Sequence, residues 1–312
     1  MLNSARITCD FLGLQPGDTA LLCMPLDYIA GKMVVVRSFE RRMHLLSVTP
    51  SGHPLSDASL SQLAVPDEGI TFAAMVPLQV YNSLQIPEEH KRLRCIRHLI
   101  IGGGAIDERL AEALHDFPHA VWSTYGMTET LSHIALRRLN GPDASDWYRP
   151  FDGVKTRLDS DGCLVIDAPA VCPGTLVTND RAELRSYGRQ DNATASCFRI
   201  LGRKDNVIDS GGIKIQIEEV EHRLRPRLTG GFAITSCPDE QFGEAVVLLT
   251  TQTDTCAVKA LCRQCLPKYW QPRHIFHTAT IPQTDTGKPA RAEIKAVSLR
   301  LYKNIAAKAA GL

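Results

Sequence analysis

Apolar residues in the first two hundred positions fall in short continuous runs, separated by stretches of helical period. Ala20–Leu26, Met43–Val48, Ile70–Met75, Ile96–Ile101 and Ala120–Thr124 read as strands. Tyr28–Phe39, Asp57–Ala64, Pro77–Leu84 and Asp107–Phe117 read as helices between them, with Ser56 or Asp57 able to cap the second. Runs apolar throughout, rather than alternating, suit strands buried on both faces. The alternation therefore predicts an α/β fold with a mostly parallel sheet. The pattern changes near Pro150: Asp159-Ser160-Asp161-Gly162 is a turn between two strand-like runs, and Cys163–Ile166 and Thr175–Val177 predict a small β subdomain. Beyond Leu201 come strand-like Val207–Asp209 and Lys214–Ile217, a helix at Glu218–Leu224, and strands at Gly231–Ser236 and Ala245–Thr251, then a helix and the tail. Residues 202–312 thus form a compact α+β domain after a larger one at 1–201, with the boundary at Leu201/Gly202.

Composition changes this picture little. With 35 Lys and Arg against 34 Asp and Glu, the net charge of +1 gives no field for nucleic acid or acidic lipid. No stretch reaches 18 apolar residues, and the first ten positions lack the pattern of a secretory signal. Ten irregularly spaced cysteines fit free thiols and a cytoplasmic enzyme better than a disulfide framework. The one CxxC, Cys262 to Cys265, lies in an amphipathic helical stretch with no second ligand pair. It reads as two structural thiols.

The chemistry concentrates in Ser123-Thr124-Tyr125-Gly126-Met127-Thr128-Glu129-Thr130, directly after a predicted strand, where α/β sheets bind ligands. Tyr125 offers a face for a base, Thr128 a hydroxyl for phosphate, and Glu129 a hard oxygen for Mg²⁺. The same residues also suit a plain helix start, capped by Ser123 or Thr124 with Glu129 in its first turn. From the residues alone the two readings are even.

Tyr125–Thr130 resembles the YG-x-TE signature of the adenylate-forming enzymes: acyl-CoA synthetases, luciferases and peptide-synthetase adenylation domains. Four further stretches match that superfamily in order. Gly102-Gly103-Gly104-Ala105 resembles its adenine-bordering turn, and Asp180 its ribose-binding Asp. Gly202–Gly212 resembles its hinge and following loop, and Pro282–Lys288 its P-x-T-x-x-GK motif. The segments around Ala20–Ser38 and Ser123–Arg137 are most similar to the short succinylbenzoate–CoA ligases of the Bacteroidetes type.

The resemblance implies an ATP-dependent acid–CoA ligase that adenylates 2-succinylbenzoate and passes the acyl group to CoA in menaquinone synthesis, with ATP, Mg²⁺ and coenzyme A as co-substrates and cofactor. Another aryl- or acyl-CoA ligase is the alternative within the class. A catalytically impaired nucleotide- or acyl-adenylate-binding protein is the alternative outside it. The roles implied are catalytic for Lys288, the cation between carboxylate and phosphate, and for Thr128 and Glu129, with Gly103, Gly104, Ala105, Ser123, Thr124, Tyr125, Gly126, Thr128, Asp180 and Arg203 around the nucleotide. Glu129 would be a metal ligand, Asp205 the hinge, and Ser210, Gly211 and Gly212 the CoA-binding loop. Taken singly, several of these also have bland readings: an Asx turn for Asp180, a surface ion pair for Arg203, a hairpin turn for Gly211-Gly212.

The second carboxylate of the acid needs a cation or several donors. Lys32, Arg37, Ser132 and His133 are the candidates, although the family's histidine near Asp27-Tyr28 is absent. The family's Ser/Thr/Gly-rich phosphate loop has no counterpart between Met1 and Ala20, while Asn3–Gly17 resembles the helix and turn that follow it. Poor ATP binding and slow or no adenylation are expected, with an upstream segment as one explanation and an exposed sheet edge as a consequence. Oligomeric state is left open.

Overall fold

The computed structural model describes residues 1–61, 69–104, 106, 108–188, 194–284 and 287–309. The chain divides into two compact units, Met1–Thr178 with Glu183–Arg199, and Asn179–Ala182 with Ile200–Leu312.

The first unit follows the predicted alternation. It runs α1 (Leu2–Leu12), β1 (Thr19–Leu22), α2 (Ile29–Arg41), β2 (His44–Ser47), β3 (Phe72–Met75), α3 (Pro77–Gln85), α4 (Pro87–Arg94), β4 (His98–Ile101), α5 (Glu108–Leu114), β5 (Ala120–Gly126), β6 (His133–Arg138) and β7 (Arg149–Pro150). The sheet order is β2-β1-β3-β4-β5-β6-β7. The first five strands are parallel; β6 and β7 close the edge antiparallel. Side chains alternate across a strand, so each strand feeds both faces. Leu21, Ala73, Leu99 and Val121 pack on one face with Val80, Leu93 and Leu114 from the helices. Ala20, Leu22, Phe72, Ala74 and Ile100 pack on the other with Cys9, Leu12 and Val34.

Local chemistry sets the ends of these elements. Gly13, at φ 68°, closes α1, with its N–H on Asp10 O and that of Leu14 on Cys9 O. The predicted strand Ala20–Leu26 stops at Leu22, three residues before Pro25, which has no N–H for a ladder. Where a helix is predicted over Asp57–Ala64, Pro54–Ser56 and Ala58–Ser61 form 3₁₀ turns; residues 62–64 lie outside the described residues. Asp57 accepts from the N–H groups of Thr49 and Ser59, which holds its carboxyl down at about 2, with the Ser59 hydroxyl bond the largest contribution.

A second sheet, of order β11-β10-β9-β8, comprises β8 (Lys155–Leu158), β9 (Cys163–Asp167), β10 (Leu176–Gly188) and β11 (Thr194–Arg203). The chain passes between the units within β10 and β11. The second unit continues with β12 (Val207–Ser210), β13 (Ile213–Gln216), α6 (Ile217–Leu224), β14 (Phe232–Asp239), β15 (Gly243–Thr250), α7 (Thr255–Cys265), β16 (His274–His277) and α8 (Arg291–Ala309). Its five-stranded sheet runs β13-β12-β15-β14, with β16 parallel to β15. Asp254 caps α7 by accepting from Ala257 N–H at 2.9 Å. Cys262 points into this unit's core, and burial pushes its thiol up to about 11; all ten cysteines are free. Among the described residues no helix is long and apolar enough to cross a membrane.

Candidate functional site

In the first unit the register of β4 against β5 sets Ile101 opposite Ser123. Gly102-Gly103-Gly104 and Thr124-Tyr125-Gly126 therefore leave neighbouring strands at the same carboxyl-terminal edge, the usual ligand edge of such sheets. The approach is tight. A Cβ on Gly102 would come within 2.6 Å of Thr124 Oγ1, and one on Gly126 would collide with the Ser132–His133 backbone. Gly103 has φ 77°, a conformation glycine adopts without cost. Ala105 lies outside the described residues.

Beyond Gly126 the chain does not start a helix. Strand β5 runs through the signature, a 3₁₀ turn covers Thr128–Thr130, and β6 returns antiparallel. The helix-start reading of Ser123 and Thr124 is thereby overturned, and His133 is the first residue of β6. Leu131 takes a positive φ of 66° at the corner, uncommon for a residue with a side chain. Thr128 and Glu129 are exposed on the turn.

Tyr125 packs edge-on to Phe198, with ring centroids 4.9 Å apart, and Tyr148 stacks on Phe198. The Ser123 hydroxyl is buried and bonds to Tyr148 Oη at 2.8 Å, so it is engaged by the protein itself. The sequence reading missed Tyr148 and Phe198.

Three of the four substrate candidates meet in the same unit. Arg37 is 2% exposed, and its Nη2 donates to Ser132 Oγ at 2.9 Å and Thr8 Oγ1 at 3.4 Å. Thr8 Oγ1 lies 3.1 Å from His133 Nε2, and Ser132 Oγ lies 3.4 Å from His133 Nδ1. The guanidinium faces the Phe72 ring at 6.0 Å, while its Nε is buried with no hydrogen-bond partner among the described residues. No carboxylate forms an ion pair with it among the described residues. Burial pushes its pKa down to about 10, with Cys9 acting in the opposite sense, so it remains charged at neutral pH. Lys32, on the same helix, is exposed and outside the cluster.

Burial, and then the charge of Arg37, push His133 well below its ordinary value of 6.5. The imidazole is therefore neutral in the folded protein, whereas the unfolded chain takes up a proton as pH falls through 6.5. Stability then rises with pH up to that point and is lost below it. Between pH 6.5 and 5.5 His133 should cost about 1 kcal/mol. Urea unfolding of His133→Gln should show that much less loss over this interval; an unchanged slope would mean His133 is charged when folded.

In the second unit Arg203 makes a two-bond fork to Asp205, both bonds at 3.0 Å, and its Nη1 lies 3.7 Å from Asp180. The bonds to Arg203 are the main cause holding the Asp205 carboxyl below its ordinary range. Gly202, at φ 146°, leaves no room for a Cβ, which would sit 2.6 Å from Gln216 Nε2. Ser210, Gly211 and Gly212 form the β12–β13 turn, with Gly211 and Gly212 both at positive φ. Gly211 lies against Phe242, whose ring faces the Arg273 guanidinium at 4.0 Å. Lys288 is exposed on a short loop closed by the Gln283–Pro289 bridge; Asp285 and Thr286 lie outside the described residues.

Among the described residues no three His, Cys, Asp or Glu side chains cluster to hold a metal. Mg²⁺ is commonly held by one or two carboxylates together with substrate phosphates. Exposed Glu129 fits that limited role.

The AMP-binding enzyme family matches residues 1–178, more than half of the chain. An acyl-CoA synthetase (AMP-forming)/AMP-acid ligase II-like protein from Dyadobacter fermentans is 31% identical, with a TM-score of 0.58, over 94% of this chain and 82% of that one. The o-succinylbenzoate CoA synthetase of Bacillus subtilis, in complex with the acyl-adenylate intermediate OSB-AMP, shares the fold at a TM-score of 0.72 and 22% identity, over 95% of this chain and 65% of that one. The 2-succinylbenzoate–CoA ligase of Bacillus cereus is 24% identical over 91% of this chain. The chain spans only 62% of that relative's length. From the match over residues 1–178 and the Dyadobacter likeness, the chain belongs to the AMP-binding enzyme family.

Proposed function

We propose that this chain is an ATP-dependent acid–CoA ligase acting on 2-succinylbenzoate. A carboxylate of the acid attacks the α-phosphate of ATP, giving an acyl-adenylate and pyrophosphate. The CoA thiol then attacks the acyl carbonyl and releases AMP. The observation carrying the substrate choice is the buried Arg37 guanidinium, charged and without a carboxylate partner among the described residues, flanked by the hydroxyls of Thr8 and Ser132. An unpaired buried cation is costly, and a bound carboxylate would offset the cost. The Bacillus subtilis o-succinylbenzoate CoA synthetase, solved in complex with ATP and magnesium ion and with OSB-AMP, supports the reading.

In this reading Tyr125 and Gly103-Gly104 border the adenine, while Asp180 and Arg203 take the ribose. Lys288 neutralises the approach of carboxylate to phosphate. Asp205 is the pivot and Ser210–Gly212 the CoA loop; glycine lets backbone approach the thiol arm closely. Glu129 would hold Mg²⁺ together with the phosphates of ATP.

Thioester formation from preformed succinylbenzoyl-adenylate and CoA tests the reading most directly, because it bypasses the triphosphate. Adenylates of benzoate and of a straight-chain dicarboxylic acid serve as comparisons. The succinylbenzoyl compound should react with the lowest KM. Equal KM values for all three would remove the substrate assignment, and no thioester from any would remove the ligase.

A further inference from the structure

In the loop bearing Lys288 the described residues Gln283, Thr284, Gly287, Lys288 and Pro289 are exposed. Three backbone bonds run across it: Thr284 N–H to Lys288 O at 2.8 Å, Gly287 N–H to Thr284 O at 2.8 Å, and Ala290 N–H to Pro282 O at 3.0 Å. A directional tie to the rest of the unit lies at Arg291, three residues after Lys288 and at the first turn of α8. Its Nη1 and Nη2 donate to Oε1 and Oε2 of Glu221 on α6, both at 2.7 Å, and Nη1 also reaches Ile234 O at 3.3 Å. Glu221 is itself 5% exposed and accepts the Ile234 N–H at 2.9 Å. A planar fork between two planar groups fixes direction as well as distance. The nearby Ile294 is fully buried and anchors the helix, but an apolar contact sets no rotation.

We infer that the Arg291–Glu221 fork is a positioning device for Lys288, fixing the loop so that its ammonium group is presented in one orientation for adenylation. This rests on the reading of Lys288 given above. Arg291 and Glu221 touch no substrate in it and act only through the loop. Misplacing a reacting group by about 1 Å can cost about 100-fold, so loosening the fork should weaken the step that uses Lys288 and spare the step that does not.

The test uses the full chain with Arg291→Lys, which keeps the charge but loses the fork, and Glu221→Gln, which keeps the shape but loses the charge. Single-turnover acyl-adenylate formation, with protein in excess over ATP, should fall about 10- to 100-fold in rate at saturation, with little change in the ATP concentration for half-saturation. Thioester formation from preformed adenylate should be kept. Amide hydrogen exchange at Gly287 and Lys288 should quicken while exchange in β14 and β15 does not. Equal loss in both half-reactions, or unchanged adenylation in both variants, would overturn the inference. Lys288→Ala, run in parallel, separates the two claims. If it loses adenylation and the fork variants do not, only the positioning role fails. If it retains adenylation, the reading of Lys288 fails and the positioning role with it. If the unmodified chain forms no adenylate, hydrogen exchange decides: unchanged exchange at Gly287 and Lys288 in both fork variants overturns the positioning role.

Discussion

Lys288→Ala is expected to slow acyl-adenylate formation by about 10²–10³-fold while leaving the stability of the chain within about 0.5 kcal/mol of its starting value. The first half of that expectation comes from charge. Adenylation brings a carboxylate to a polyphosphate, and a cation placed between them is most valuable where charge develops in the transition state. The second half comes from the structure. Lys288 is exposed and forms no ion pair among the described residues; its hydrogen bonds to them are all through the backbone, N–H to Thr284 Oγ1 at 3.2 Å and the carbonyl from Thr284 N–H at 2.8 Å. Gly287, at φ 77°, makes the turn that presents it. Removing an exposed side chain with no packing leaves nothing unsatisfied. Thioester formation from preformed adenylate needs no such cation and should change by less than about threefold. A quench-flow measurement of both half-reactions decides the matter, and parallel losses in the two would show that Lys288 serves binding in general.

Much of the first unit was legible because its sheet is buried on both faces. Strands such as Phe72–Met75, buried throughout, must be apolar throughout, and that pattern is hard to mistake. Helix α4 was missed because Pro87–Arg94 carries almost no apolar period. Its ends were nonetheless marked: Pro87 at the first position, Glu88 and Glu89 in the first turn, and basic residues in the last. The signature after β5 was ambiguous for a different reason. Thr, Glu and Ser suit a helix start and a turn equally, and the choice was made by β6 pairing back on β5, a contact outside any local window. Non-local contacts hid other features too. Thr8, Arg37, Ser132 and His133 come from α1, α2, the corner after Thr130 and β6, and only the folded sheet brings them together. Arg291 and Glu221 lie 70 positions apart in the sequence. The assignment of Asn179–Ala182 to the second unit is equally invisible in the pattern of those four residues.

Arg37→Met is expected to separate stability from recognition in opposite directions. Arg37 is almost fully buried, and burial pushes its pKa down to about 10, so the site works against the charged form. Its hydrogen-bond partners, Thr8 and Ser132, are neutral hydroxyls that can bond instead to His133 or to backbone. Methionine, unbranched and flexible, fills much of the same volume without a charge to desolvate. Replacing a buried charged group by an apolar one is often neutral or stabilising by about 1–4 kcal/mol, so the melting temperature should hold or rise by a few degrees. Binding should move the other way. A charge-assisted bond to the distal carboxylate is worth about 1.5–3 kcal/mol, so the KM for succinylbenzoyl-adenylate should rise about 10- to 100-fold. The same measurement with an adenylate lacking the second carboxylate should barely change, because it never used the guanidinium. A protein keeps a destabilising residue where function requires it, and the opposed shifts would mark Arg37 as such a residue. A fall in melting temperature with both KM values unchanged would instead make the guanidinium a packing element between α1, α2 and the β5–β6 corner.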